Sequence, residues 1–142
     1  MANYAEITRT NDGNDSVDVM CYSALAISAG YAVNYETVAG YSRAVKLPTA
    51  STDRTAGVTV TDIAAGGYGL VCIHGPVVMY GHEPIATGEH VEVGLVALSM
   101  GEAIIGVATT THQLLGFCLQ PCVADGDKCE VFVNIQPICK AA

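Results

Sequence analysis

Residues 116–133, GFCLQPCVADGDKCEVFV, decide the fold. They predict a β-strand, a turn on Ala124-Asp125-Gly126-Asp127 and a second β-strand, because glycine beside an acidic residue accepts positive φ without steric cost. Moved back 59 positions, the stretch lies over residues 57–74, GVTVTDIAAGGYGLVCIH, with Gly57 under Gly116 and Gly67 under Gly126. A second pair appears at an offset of 58: residues 26–35 (AISAGYAVNY) lie over 84–93 (PIATGEHVEV), with Ile27 on Ile85, Gly30 on Gly88 and Val33 on Val91. Two glycine-centred hairpin units therefore occur twice, in the same order.

The remaining segments hang on the turns at Gly30, Gly67, Gly88 and Gly126. Strands are expected at 17–20, 22–27, 31–35, 58–60 and 70–73, then again at 77–80, 91–96, 104–110, 114–119 and 130–135, on alternation of Val, Ile and Tyr with polar residues. Gly75-Pro76 should break the run between the copies, and Pro137 should end the last strand. The residues after Val38, with Gly40 and Pro48, predict a loop. In it or just after it stand Arg43, Lys46 and Arg54, half of the 6 basic residues. No stretch sustains a helical period, and the nearest, 101–111, carries Gly106 and a Thr run that favour a strand. The expected class is all-β: a compact β-barrel or sandwich with internally duplicated hairpins. It would comprise a short extended N-terminal arm over residues 1–16, polar and with a turn signal at Asn11-Asp12-Gly13-Asn14-Asp15, and a single β domain over 17–142 with pseudo-repeats 17–76 and 77–137.

At 142 residues the chain fits one domain that buries about two-thirds of its unfolded surface without needing staples. Hydrophobic residues make up 51% and charged ones 14%, a balance so apolar that some of the surface is expected against another chain. The net charge of −8 argues against nucleic acid as a partner. No apolar run is long enough to span a bilayer and the first residues, MANYAEITRT, carry no signal pattern, so the expectation is no membrane partner and synthesis in a cytoplasm.

The six cysteines, Cys21, Cys72, Cys118, Cys122, Cys129 and Cys139, fall where apolar residues also serve, and small buried thiols are expected. His74, His82, His90 and His112, two of them beside Glu83 and Glu89, lack the paired spacing of a zinc site and are expected to be ordinary turn or surface histidines, with no metal. There is no GxSxG elbow, and Gly66-Gly67-Tyr68-Gly69 lies between strands rather than before a helix, so neither an enzyme nor a cofactor is expected. The hairpin tips carry no lysine of the lipoyl-carrier or biotin-carrier kind.

A resemblance rests on Gly57-Val58, on the turns Ala86-Thr87-Gly88-Glu89 and Ala124-Asp125-Gly126-Asp127, on Val91-Glu92-Val93 and Val131-Phe132-Val133, and on Ile105-Gly106-Val107-Ala108. Over roughly residues 55–135 the chain resembles the small all-β capsid decoration (cement) proteins of tailed bacteriophages. That resemblance implies a homotrimer standing on the outside of an expanded phage head, bound to the major capsid protein and bracing the shell, with no catalysis and no cofactor. The candidate capsid contacts are Asn3, Tyr4, Ile7 and Arg9 on the arm and Arg43 and Lys46 in the basic patch. Another virion part, a head-fibre or tail module, is the competing expectation. Behind it stands a non-viral β-domain with an unidentified ligand.

Overall fold

The computed structural model describes residues 16–49, 54–94, 100–106 and 114–135. Within them nine strands form one mixed sheet, and the described residues contain no helix. In chain order these are β1 (Val17–Ser23), β2 (Ala32–Val38), β3 (Tyr41–Lys46), β4 (Thr55–Thr59), β5 (Gly67–Tyr80), β6 (His90–Val93), β7 (Ala103–Ile105), β8 (Gly116–Gln120) and β9 (Lys128–Asn134). The expected all-β class is therefore the observed one.

The sheet runs β1-β3-β2-β4-β5-β9-β8-β6-β7, and β1 pairs with β5 as well as β3. The hydrogen bonds of the first five strands thus close into a ring. A second ring runs from the later half of β5 through β9, β8, β6 and β7, and is closed by a parallel bridge between Gly81 and Ala103. Instead of two stacked sheets, one sheet closes on itself twice. The shared strand is β5, whose 14 residues are twice the 7 of β1.

The registers of the two rings repeat. Ala32 opposite Val58 and Val33 opposite Gly57 recur as His90 opposite Phe117 and Val91 opposite Gly116. The parallel pairing of Tyr22 with Ala44 recurs one residue further along as Gly81 with Ala103, and the bridge of Ile27 to Ile63 recurs as Ile85 to Cys122. Each ring wraps an equivalent core: Cys21, Ile27, Val33, Val45, Ala56, Ile63 and Val71 in the first, Met79, Ile85, Val91, Ala103, Leu115, Cys122 and Val131 in the second. Full burial of one such Val, Leu, Ile or Met side chain contributes about 1.5–3 kcal/mol. Ala32, Val58 and Cys72 face away from the first core and join the second, so every residue of β4 is buried.

Gly57 and Gly116 are equivalent for a steric reason. A Cβ on Gly57 would overlap the Cys72 carbonyl oxygen, and one on Gly116 would overlap that of Phe132. Only glycine lets β4 press against β5, and β8 against β9, at these points.

Four local expectations are corrected. The residues after Val38 form β3 rather than a loop, because Tyr41, Ser42 and Arg43 stand outward while Ala44 and Val45 turn into the core. Gly75-Pro76 does not break the chain: β5 passes through it. Pro76 falls where β5 has left β1 and β4 and has only β9 beside it, a one-sided position in which a missing N–H is tolerated. The junction between residues 76 and 77 accordingly lies inside a strand. The turn residue matching Gly126 is Gly66 rather than Gly67, since Gly66 and Gly126 have φ of 73° and 88°, and their N–H groups bond the carbonyls of Ser23 and Gly81. The strand expected over 22–27 ends at Ser23, leaving Ile27 as a bridge to Ile63.

Candidate interaction surfaces

Of the predicted capsid contacts, Asn3, Tyr4, Ile7 and Arg9 lie outside the described residues. Arg43 and Lys46 share β3, Arg43 exposed and Lys46 half-buried opposite Asn34. Arg43 has φ of 55°, a left-handed conformation unusual for a residue with a Cβ. Its register partner in the second ring, Gly101, has φ of 80°. The duplicated backbone thus imposes on Arg43 a shape that glycine supplies in the other copy.

Beside Arg43 lies an aromatic cluster that no sequence motif marks. Tyr22 and Tyr41 stack with ring centroids 3.8 Å apart, and Tyr68 meets Tyr22 edge-on at 5.5 Å. Burial beneath the other two rings, then the neighbouring Tyr41 hydroxyl, pushes the Tyr22 phenol above its ordinary range. Tyr41 and Tyr68 are 43% and 54% exposed, enough for a partner to reach them. Strands β1, β3 and β5 each place one of these side chains, so the cluster belongs to the outer wall of the first ring.

The outer wall of the second ring carries a second patch. Phe117 on β8 stacks on Phe132 on β9 at 5.4 Å, and His74 meets Phe132 edge-on at 5.3 Å. Phe117 is 36% exposed, and His90, opposite it on β6, is exposed. Aligning the strands as well as the turns would have found this patch, because the first copy has Ala32, Val58 and Cys72 at the matching places, all buried.

Among the described residues, which exclude His112, His82 and His90 do not pair with the neighbouring Glu83 and Glu89. Glu83 accepts the Ile105 N–H at 2.7 Å and Glu89 the Ala86 N–H at 2.7 Å, so both carboxylates are spent on backbone. Remote carboxylates approach His82 instead: its Nδ1 lies 3.3 Å from Glu102 and 3.4 Å from Asp125. Backbone bonds from His82 N to Ala103 O and from Gly126 N to Gly81 O bring the three segments together. Among the described residues these three are the grouping able to hold a cation, with one ring nitrogen and two carboxylate oxygens within 4.8 Å of one another. Without a cation the arrangement is a half-exposed polar clamp where the second ring closes.

Cys21, Cys72, Cys118, Cys122 and Cys129 are free and buried, as expected, while Cys139 lies outside the described residues. Burial, and then the charge of Asp18, pushes the Cys72 thiol up to about 12. Burial, with Cys118 and Cys122 as neighbours, raises Cys129 to about 12 as well. Such thiols stay protonated at neutral pH and act as core, not as nucleophiles.

No family model and no curated protein matches the chain. Among solved structures it is similar to the head fiber gp8.5 N base of bacteriophage phi29, with a TM-score of 0.56 and 13% identity over 89% of this chain and 98% of that one. At that identity the likeness is one of fold.

Proposed function

We propose that this chain is a structural component of a phage virion, seated on the outside of the capsid as a homotrimer with the major capsid protein as its partner. One observation carries the reading: the likeness to a phage head fiber base extends over nearly the whole of both chains. It favours a head-fibre base over a freely saturating cement protein, while stabilisation of the expanded head, the function implied by the decoration-protein resemblance, remains compatible with either. The composition supports attachment to other chains, since a charge-poor domain with 51% hydrophobic residues has apolar surface to cover. Arg43 and Lys46, with the arm residues Asn3, Tyr4, Ile7 and Arg9, are the proposed capsid contacts.

Quantitative mass spectrometry of purified virions tests the reading, followed by titration of the protein onto expanded empty heads. Stoichiometric presence in virions and saturable binding to heads are the expected results. A fibre base stops at a limited set of positions, whereas a cement protein fills the lattice. A protein absent from virions that leaves heads bare would overturn both forms.

A further inference from the structure

Inside the chain, the second ring docks on the first through a definable contact. The Tyr80 N–H donates to the Gly30 carbonyl at 3.0 Å, the Tyr80 ring packs on Tyr31 at 5.2 Å, and the Ala32 N–H donates to Gly101 O at 2.8 Å. Behind these bonds Ala32, Val58 and Cys72 are sealed into the second core. One side of the joint is thus the Tyr80 and Gly101 end of a ring, and the other is the Gly30 turn with the outer wall behind it.

Each ring has both of these surfaces, because the registers repeat, but among the described residues the chain uses only one of each. The Tyr80 and Gly101 end of the second ring corresponds to Tyr22 and Arg43 in the first, covered there by the exposed Tyr41 and Tyr68. The Gly30 turn and wall of the first ring correspond to Gly88, His90, Phe117 and Phe132 in the second. The vacancy is measurable: a Cβ on Gly30 would come 3.2 Å from the Tyr80 ring, whereas one on Gly88 meets nothing within 4 Å. The charges also match, with Arg43 at the edge of one free surface and Glu89, beside His90, at the edge of the other.

We propose that a second copy of this chain repeats the internal joint, the Tyr41, Tyr68 and Arg43 end of its first ring docking on the Gly88, His90, Phe117 and Phe132 face of the neighbour's second ring. Such a contact joins two different patches and is head-to-tail, so copies close into a cyclic assembly when the rotation permits. It deepens the self-association in the proposed function and rests on that reading only for the number of copies being three.

Sedimentation velocity of the full chain at micromolar concentration tests it, with Tyr41→Asp and Phe117→Asp as variants and thermal unfolding as the folding control. The wild type should sediment as a multiple of 14.7 kDa and each variant as a folded monomer. An equimolar mixture of the two variants should yield a dimer, since each retains the face that the other has lost. A monomeric wild type, variants that assemble like it, or a mixture of folded variants that stays monomeric would each overturn the proposal. If either variant fails to fold, Arg43→Glu and His90→Glu, both at exposed positions, replace the pair with the same expected outcomes. A monomer that still enters virions would sink this contact and the homotrimer with it, and leave the virion role of the proposed function standing.

Discussion

The two rings share a register and differ in what lies outside them. In the first, Ala32, Val58 and Cys72 are at most 1% exposed because the second ring covers them. In the second, no third ring among the described residues lies against the same three places, which carry His90, Phe117 and Phe132. One backbone therefore serves as interior wall in one copy and as surface in the other, and the residue at each place follows what covers it. Small apolar side chains fill the sealed joint. The open one carries large aromatic rings and a titratable group, which tolerate water on one side and offer area to a partner on the other.

The greatest expected effect comes from the paired glycines. Gly57→Ala and Gly116→Ala each drive a Cβ into a carbonyl oxygen across the ladder, so each should destabilise the fold by at least about 3 kcal/mol. They should not be equal. Gly57 lies on β4, which is buried on both faces and borders both cores, whereas Gly116 lies on β8, whose outward residues are partly exposed. Urea unfolding followed by circular dichroism should show Gly57→Ala as the more damaging. The reverse order would mean that the second ring, not the shared wall, carries most of the stability.

Next in size is a swap of core volumes between matching places. Leu115 fills the second core where Ala56 stands in the first, both at most 2% exposed. Leu115→Ala should cost about 2–5 kcal/mol by leaving a cavity, and Ala56→Leu about 1–3 kcal/mol by overpacking. A neutral Ala56→Leu in the same urea titration would show that the first ring has spare room and that the cores are closer to interchangeable than their residues indicate.

Much of this comparison is legible in the amino-acid sequence, and the part that is not has a physical explanation. The turns at Gly30, Gly88 and Gly126 announced themselves because positive φ leaves few residue types to choose from. The alternating Val and Ile of β2, β5 and β9 did so because a half-buried strand has period two. Strand β3 stayed hidden because its first three residues, Tyr41, Ser42 and Arg43, all face outward, so the segment showed a polar, basic composition rather than alternation. Pro76 was misleading for a related reason: a residue that breaks central strands is acceptable where a strand changes partners, and partner exchange is a property of the whole sheet. The tyrosine and phenylalanine faces could be found only once strand-by-strand register was known, since they gather side chains that lie up to 58 residues apart, as His74 and Phe132 do. The cluster at His82 gives no sequence signal because the neighbouring carboxylates bond backbone and the relevant ones arrive from Glu102, just before β7, and from the last turn.

The smallest expected effect probes the one place where the duplicated backbone conflicts with its residue. Arg43 holds φ of 55° where Gly101 holds 80° in the other ring, and a left-handed residue with a Cβ costs about 1–2 kcal/mol. Arg43→Gly removes that strain but adds unfolded-state freedom worth about 0.5–1 kcal/mol, so the net gain in stability should be at most about 1 kcal/mol. Gly101→Ala should go the other way, since its Cβ would come 3.0 Å from the Ala32 carbonyl within the internal joint. The two readouts of Arg43→Gly should then separate: thermal unfolding shifts upward, while sedimentation shows weaker self-association because the cation facing Glu89 has gone. Arg43 would thus be a residue kept at some expense to the fold because the outer face needs its charge. If Arg43→Gly instead leaves assembly unchanged while raising stability, Arg43 has no part in the contact between copies and its strain has no functional counterpart on this face.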